Sequence, residues 1–157
     1  MVQPLRLGLA GLGTVGIGVV KIVQRHADLI TARTGRPVTI TAVSARDRSK
    51  NRDADLSGYA RAADPVALAR RDDVDVFVEV MGGHEGAAQA ATEAALAAGT
   101  DVVTANKALL AHHGQALAEM AEAAGRVIRF EAAVAGGIPV IKTLTEGLAG
   151  NRIKRVM

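Results

Sequence analysis

The sequence predicts an α/β domain built on a doubly wound parallel sheet, and two observations carry that expectation. Short runs rich in β-branched residues alternate with alanine-rich helical stretches along the whole chain. The first of these runs opens into a glycine-rich turn, GLGTVG at positions 11–16, that leads into a helix. Bulk properties agree. A chain of 157 residues, 49% of them hydrophobic, is long enough to bury one core. The absence of Cys excludes disulfide scaffolds, thiolate chemistry and Cys-ligated zinc. No apolar run approaches the ~20 residues of a membrane span, and the start MVQPLRLGLAG has no signal-peptide layout. A cytoplasmic protein without a membrane partner is therefore expected. Its 19 Lys+Arg against 16 Asp+Glu are interspersed, and only 2% of residues are aromatic. With no stacking platform, a nucleic-acid partner is not expected.

Element by element, Leu5 to Ala10 reads as the first strand and about Val15 to Arg33 as the first helix, closed by Gly35 and Pro37. Val38 to Val43 reads as the second strand. Ser44 to Ala63 is polar, holds Arg46, Arg48, Lys50 and Arg52, and is expected to be a mobile loop. Asp64 before Pro65 is an N-cap followed by proline at the first helical position, so a short helix to Arg71 follows. Val74 to Val80 alternates as VDVFVEV, placing Val74, Val76, Val78 and Val80 on one face and Asp75, Phe77 and Glu79 on the other. A helix from about Gly86 to Ala98 ends at Gly99; Asp101 to Thr104 is a strand, Lys107 to Ala124 a helix ending at Gly125, and Val127 to Phe130 a strand. Ile138 to Leu148 reads as helical, and the chain reaches Met157 in the start of a further strand.

The glycine turn points to a dinucleotide. In a GxGxxG placed between strand and helix, Gly11 permits the tight turn, Gly13 lets the backbone approach a pyrophosphate and Gly16 lets helix and strand pack closely. The helix opening, with Thr14 and Val15, offers N–H groups and a partial positive charge to phosphate. Where an NAD site carries an acidic residue after the second strand, this chain has Ser44, Ala45 and Arg46. Arg46 could pair with a 2′-phosphate, which favours NADP over NAD, although Asp47 is adjacent and Arg46 also suits a plain solvated surface. The missing carboxylate also argues against S-adenosylmethionine.

Three further strings, VEVMGG (78–83), VVTANKALLA (102–111) and FEAAVAGGIPVI (130–141), together with GLGTVG resemble homoserine dehydrogenase in order and spacing over essentially the whole chain. The resemblance implies a Rossmann-like NAD(P)-binding domain. It also implies a reaction interconverting L-aspartate 4-semialdehyde and L-homoserine by hydride transfer, on the route to threonine and methionine. Lys107 matches the family's active-site lysine. It is the only lysine between Lys50 and Lys142, and it stands at the start of a helix, where a cation opposes the helix dipole unless an anion is near. A primary ammonium there could hold the aldehyde oxygen and the developing alkoxide. Gly82 and Gly83 would let the chain pass close to the cofactor. Thr104 and Asn106 would hold the nicotinamide ribose or the loop itself, Asn106 being equally suited to an N-cap.

By the same resemblance, Glu131, Val134, Gly136 and Ile138 match a loop whose backbone carbonyls hold a monovalent cation, usually sodium. HEGA at 84–87 departs from the family, which is expected to carry proline after the glutamate. His84, His112 and His113 are not spaced as a metal site and read as surface or loop residues. The family continues with a substrate and dimerisation domain and a second catalytic lysine, and it forms homodimers. The chain is thus expected to comprise a nucleotide-binding domain at 1–150 and, at 151–157, the start of a connection to an absent domain, binding cofactor without turnover. A stand-alone NAD(P)-sensing module is the alternative, and it would have no need of Lys107.

Overall fold

The computed structural model describes residues 2–47 and 50–156; Arg48 of the basic stretch and Met157 lie outside the described residues. The strands are β1 (Leu5–Ala10), β2 (Val38–Ser44), β3 (Ala60–Arg61), β4 (Val76–Glu79), β5 (Asp101–Thr104) and β6 (Ile128–Arg129). They form one sheet in the order β3-β2-β1-β4-β5-β6, with every pairing parallel. The helices are α1 (Thr14–Arg25), α2 (Ala27–Thr34), α3 (Pro65–Ala69), α4 (Ala87–Ala97), α5 (Lys107–Ala124), α6 (Glu131–Val134) and α7 (Val140–Lys142). From β1 the chain winds outward through β2 to β3, then returns to the other side of β1 at β4. The predicted doubly wound sheet is therefore present, and its strand order reverses between β1 and β4, where such sheets open a crevice at their carboxyl ends.

Both faces of the sheet are dry. The alternation predicted for Val74 to Val80 holds from Val76 onward: Phe77 packs with Leu68, Leu96, Leu109 and Leu117, whereas Val76, Val78 and Val80 pack with Leu9, Val20, Ile40 and Val43; Val74 precedes β4 and is not part of the latter cluster. Alanines at 88, 91 and 95 line the buried side of α4 and let it lie close to the strands. Capping follows the sequence. The Asp64 carboxylate accepts the Ala67 N–H at 2.7 Å, and Gly35 and Gly125 close α2 and α5 in the left-handed conformation.

Three expectations need correction. The first helix is not continuous, because it breaks at His26 (φ −116°, ψ 23°) into α1 and α2. The apolar stripe of α1 covers the sheet, but α2 buries no residue, so no packing force extends the same axis. The stretch Ser44 to Ala63 is anchored rather than loose in its described part. Lys21 pairs with Asp53, the Gln24 amide donates to the Asp55 carbonyl at 2.8 Å, and Leu56 is buried. Its anchors lie on α1, some 30 positions away in sequence, where a local reading does not reach. Finally, the helix expected from Ile138 to Leu148 is only α7 followed by a π-helical turn, Thr143–Gly147. Neither α7 nor this turn buries a residue, so no packing force holds a regular helix there, and the Thr143 and Thr145 hydroxyls add bonds to the Pro139 and Ile141 carbonyls at 2.6 and 2.9 Å.

At the amino ends of the strands, Arg6 forks onto Asp75 (2.8 and 3.2 Å) and Arg71 onto Asp73 (2.7 Å twice). These hydrogen bonds hold both carboxyls below the ordinary aspartate value of 3.8. A depressed folded pKa contributes stability that is present above the unfolded value and is lost as pH falls through the folded one. Melting temperature is thus expected to drop as pH is taken from 5 to 3. Asp75→Asn should flatten that drop, and an unchanged slope in the variant would refute the pairing as its source.

Candidate functional site

The carboxyl rim is built first by the turn after β1. Gly11 has φ +103° and gives its N–H to the Ser44 carbonyl at 2.9 Å; a β-carbon there would lie 2.7 Å from the Val80 carbonyl oxygen. A β-carbon on Gly16 would lie 1.9 Å from the Gly11 carbonyl oxygen. The fold itself demands these two glycines. Gly13 differs: its φ is −80°, and nothing lies within 4 Å of where its β-carbon would be. That position is open, above a helix start whose Gly13 N-cap supplies no side-chain acceptor and whose first N–H groups lack intrahelical partners.

After β2, Ser44 is buried and Arg46 is exposed, with no acid at the strand end. Arg52, which the sequence reading placed only among the basic residues, holds the glycine turn to this loop. Its guanidinium donates to the carbonyls of Leu12 (3.0 Å), Lys50 (2.8 Å) and Asp47 (2.6 Å). Spacing gives no hint of such a tie, since it joins residues 40 positions apart.

After β4 and β5, the strand register lines up Ser44, Ala10, Glu79 and Thr104, all buried. The Glu79 carboxylate, with no exposed surface, accepts the N–H groups of Met81 (2.7 Å) and Gly82 (3.4 Å) and the Thr104 hydroxyl (2.7 Å). Gly82 and Gly83 have φ of +80° and +82°, which turns the chain over the rim. Asn106 caps α5 by accepting the Leu109 N–H at 3.1 Å, and its amide donates to the Gly83 carbonyl. Thr104 and Asn106 are thus both engaged in holding the loop. Lys107 is the first residue of α5, exposed, with Nζ 3.5 Å from the Ala132 carbonyl.

A cavity of about 360 Å³ joins these pieces, lined by Val15, Val80, Met81, Gly82, Asn106 and Lys107 among others. A second cavity of about 370 Å³ lies at the opposite end of the strands among Arg6, Arg36, Arg71 and Asp75; Arg6 and Arg36 pair with Asp75, and Arg71 with Asp73. It is remote from the glycine turn.

The expected cation loop follows β6. Glu131 closes it: its carboxylate accepts the Ile141 and Lys142 N–H groups, both at 2.9 Å. Val134, Gly136 and Ile138 lie exposed within the closed segment, and the Ile138 carbonyl accepts the Val140 N–H at 2.8 Å. Of the histidines expected at the surface or in loops, His112 and His113 lie on α5, and His84 stacks on His112 with ring centroids 4.2 Å apart. Among the described residues, no three His, Cys, Asp or Glu side chains are grouped to hold a metal. Gly86 has φ +69°, which a proline at that position cannot adopt, so the departure at HEGA reshapes the entry to α4. No helix among the described residues is long and apolar enough to cross a membrane.

Comparison with known proteins agrees with this geometry. The family model described as the NAD-binding domain of homoserine dehydrogenase matches residues 11–131. The homoserine dehydrogenase of Bacillus subtilis is 45% identical over 99% of this chain and 36% of its own length. That of Neisseria gonorrhoeae is 46% identical over 98% of the chain and 35% of its own length. The crystal structure of the enzyme from Thiobacillus denitrificans superposes with a TM-score of 0.87 at 41% identity, covering 97% of this chain and 35% of that one. The chain spans about a third of the length of the relatives it matches. With a family match across both the glycine turn and the loops after β4 and β5, the chain belongs to the homoserine dehydrogenase NAD-binding domain family.

Proposed function

We propose that this chain binds NAD(P) across the carboxyl ends of β1, β4 and β5, and supplies the cofactor half of an enzyme that interconverts L-aspartate 4-semialdehyde and L-homoserine. The observation that carries the reading is Gly13. Neither its backbone angle nor a neighbour calls for glycine, yet a β-carbon would project into the open ground above the α1 N-terminus, where a pyrophosphate would lie. Gly11, Thr14, Val15 and Gly16 complete that cradle.

When bound, the nicotinamide would supply hydride chemistry. The chain's own residues would do the rest. Val15 and Val80 give the cavity an apolar wall, Gly82 and Gly83 allow close approach, and Thr104 and Asn106 hold that loop in place. The Lys107 ammonium, projecting at the cavity mouth, would donate a hydrogen bond to the substrate oxygen and stabilise the negative charge that develops on it. This role also accounts for a cation at a helix N-terminus, a position that otherwise disfavours it. The loop closed by Glu131 suits a monovalent cation such as sodium through the carbonyls of Glu131, Val134, Gly136 and Ile138, because hard cations take oxygen ligands. Turnover and homodimer formation belong to a polypeptide of the relatives' length; the 157 residues are proposed to bind cofactor alone.

Arg46, exposed beyond β2 with no acid at the strand end, favours NADP. Calorimetric titration is expected to show binding of both cofactors with NADPH the tighter. Arg46→Glu should cut the NADPH affinity about tenfold while sparing NADH. Absence of binding by both would reject the nucleotide reading, and an unchanged preference in the variant would reject the role of Arg46.

A further inference from the structure

Glu79 ends β4 with no exposed surface. A carboxylate at such a place is costly unless every oxygen is hydrogen-bonded. An apolar side chain would serve the adjoining core, so the charge calls for a role of its own. Its two oxygens bond to two different segments beside the cavity. Oε1 accepts from Met81 and Gly82 on the loop after β4, and Oε2 accepts the Thr104 hydroxyl on β5.

The bonding has a direction: the Thr104 hydroxyl donates to Glu79, which leaves a lone pair of the same hydroxyl oxygen for the Asn106 N–H at 3.0 Å. Asn106 in turn caps α5 and reaches back to the Gly83 carbonyl. A closed circuit thus runs from Glu79 through Met81 and Gly82 to Gly83, Asn106 and Thr104, and back to Glu79. The backbone doubles it, with the Ala105 N–H on the Glu79 carbonyl at 3.2 Å. Lys107 follows Asn106 directly.

We infer that Glu79 is a positioning residue: buried and out of reach of ligand, it sets the Gly82-Gly83 loop and the start of α5, and so the wall against which the nicotinamide end of a cofactor rests. The inference builds on the proposed nucleotide site. Glutamine is nearly the same size but brings an NH2 donor to a place where all three partners donate. Turned towards Met81 and Gly82, the NH2 group meets their N–H groups and those bonds are lost; turned towards Thr104, it can bond only to the hydroxyl oxygen, and the Thr104 proton loses its acceptor.

The test is Glu79→Gln in this chain, with two ligands and one ligand-free measurement. NADH, which spans the cavity, is expected to bind about tenfold more weakly. ADP, which reaches only the glycine turn, should bind within about twofold of the parent. Hydrogen exchange at the Met81, Gly82 and Asn106 amides should quicken together, while amides in β1 and α4 keep their protection. Unchanged NADH affinity, or equal losses for NADH and ADP, would overturn the inference, the latter marking Glu79 as a packing residue only. If the parent chain binds neither ligand, the nucleotide reading fails separately, and the three amides decide for Glu79: unaltered protection refutes it. Should the glutamine variant not fold, Thr104→Val cuts the same circuit at its hydroxyl and carries the same expectations.

Discussion

Gly16→Ala is expected to destabilise the chain by about 3 kcal/mol or more, whereas Gly13→Ala costs no more than about 1 kcal/mol, alanine being the poorer N-cap, and weakens dinucleotide binding about tenfold or more. The contrast follows from what each added methyl group meets. At Gly16 it lies 1.9 Å from the Gly11 carbonyl oxygen. That oxygen belongs to the turn joining β1 to α1 and cannot rotate aside as a side chain would. Either α1 lifts from the sheet, uncovering Val20 and its neighbours, or the turn opens and Gly11 loses its bond to Ser44. At Gly13 the methyl meets nothing, and the φ of −80° is ordinary for alanine. Beyond the small loss of an N-cap glycine, its cost appears when phosphate must approach the backbone. Thermal melts of the two variants, read beside NADH titrations, separate these effects. Equal melting temperatures for Gly16→Ala and the parent would show that the turn is not the rigid element described here. Unaltered NADH affinity in Gly13→Ala would remove the observation on which the proposed site rests.

Lys107→Ala is expected to move stability and catalysis in opposite directions. Removing a cation from the first position of α5, and placing the best helix former there, should stabilise the isolated chain by about 0.5 kcal/mol. Its only side-chain bond among the described residues is the long contact to Ala132. In a polypeptide of the relatives' length, the same change should lower kcat about 10²–10³-fold, the usual effect of losing one donor to a developing oxyanion, with cofactor affinity little altered. Unchanged turnover would take Lys107 out of the reaction. A fall in stability would show that the lysine is held by contacts within the fold rather than kept for a ligand.

Much of the molecule could be read locally. β1, β5 and α5 have the bounds expected for them, because each is framed by signals within a few residues: Gly11 after β1, Asn106 before α5 and Gly125 after it. The glycine-rich turn between β1 and α1 is equally legible, since its place between strand and helix follows from position alone. Glu79 was placed on the correct face of its strand but not recognised as part of the site. A charge within VFVEV was the available signal, and it does not say that Met81, Gly82 and Thr104 converge on that carboxylate. Arg52 likewise reads in sequence as one of a basic run, because its tie to Leu12 exists only once the loop after β2 folds back over the glycine turn. The break at His26 and the shortened helix after Pro139 reflect where the sheet ends and burial stops, which no local spacing records.

By itself, the sequence determined the α/β class, the parallel alternation and the glycine turn, since periodicity, caps and turn residues act over a few positions and the backbone obeys them wherever they occur. Tertiary structure alone decided which polar groups share a buried circuit, which glycines the fold requires and which one it leaves open, and that Val15, Gly82, Asn106 and Lys107 line one cavity. Those outcomes depend on the reversal of strand order between β1 and β4, which brings residues about 90 positions apart to the same rim.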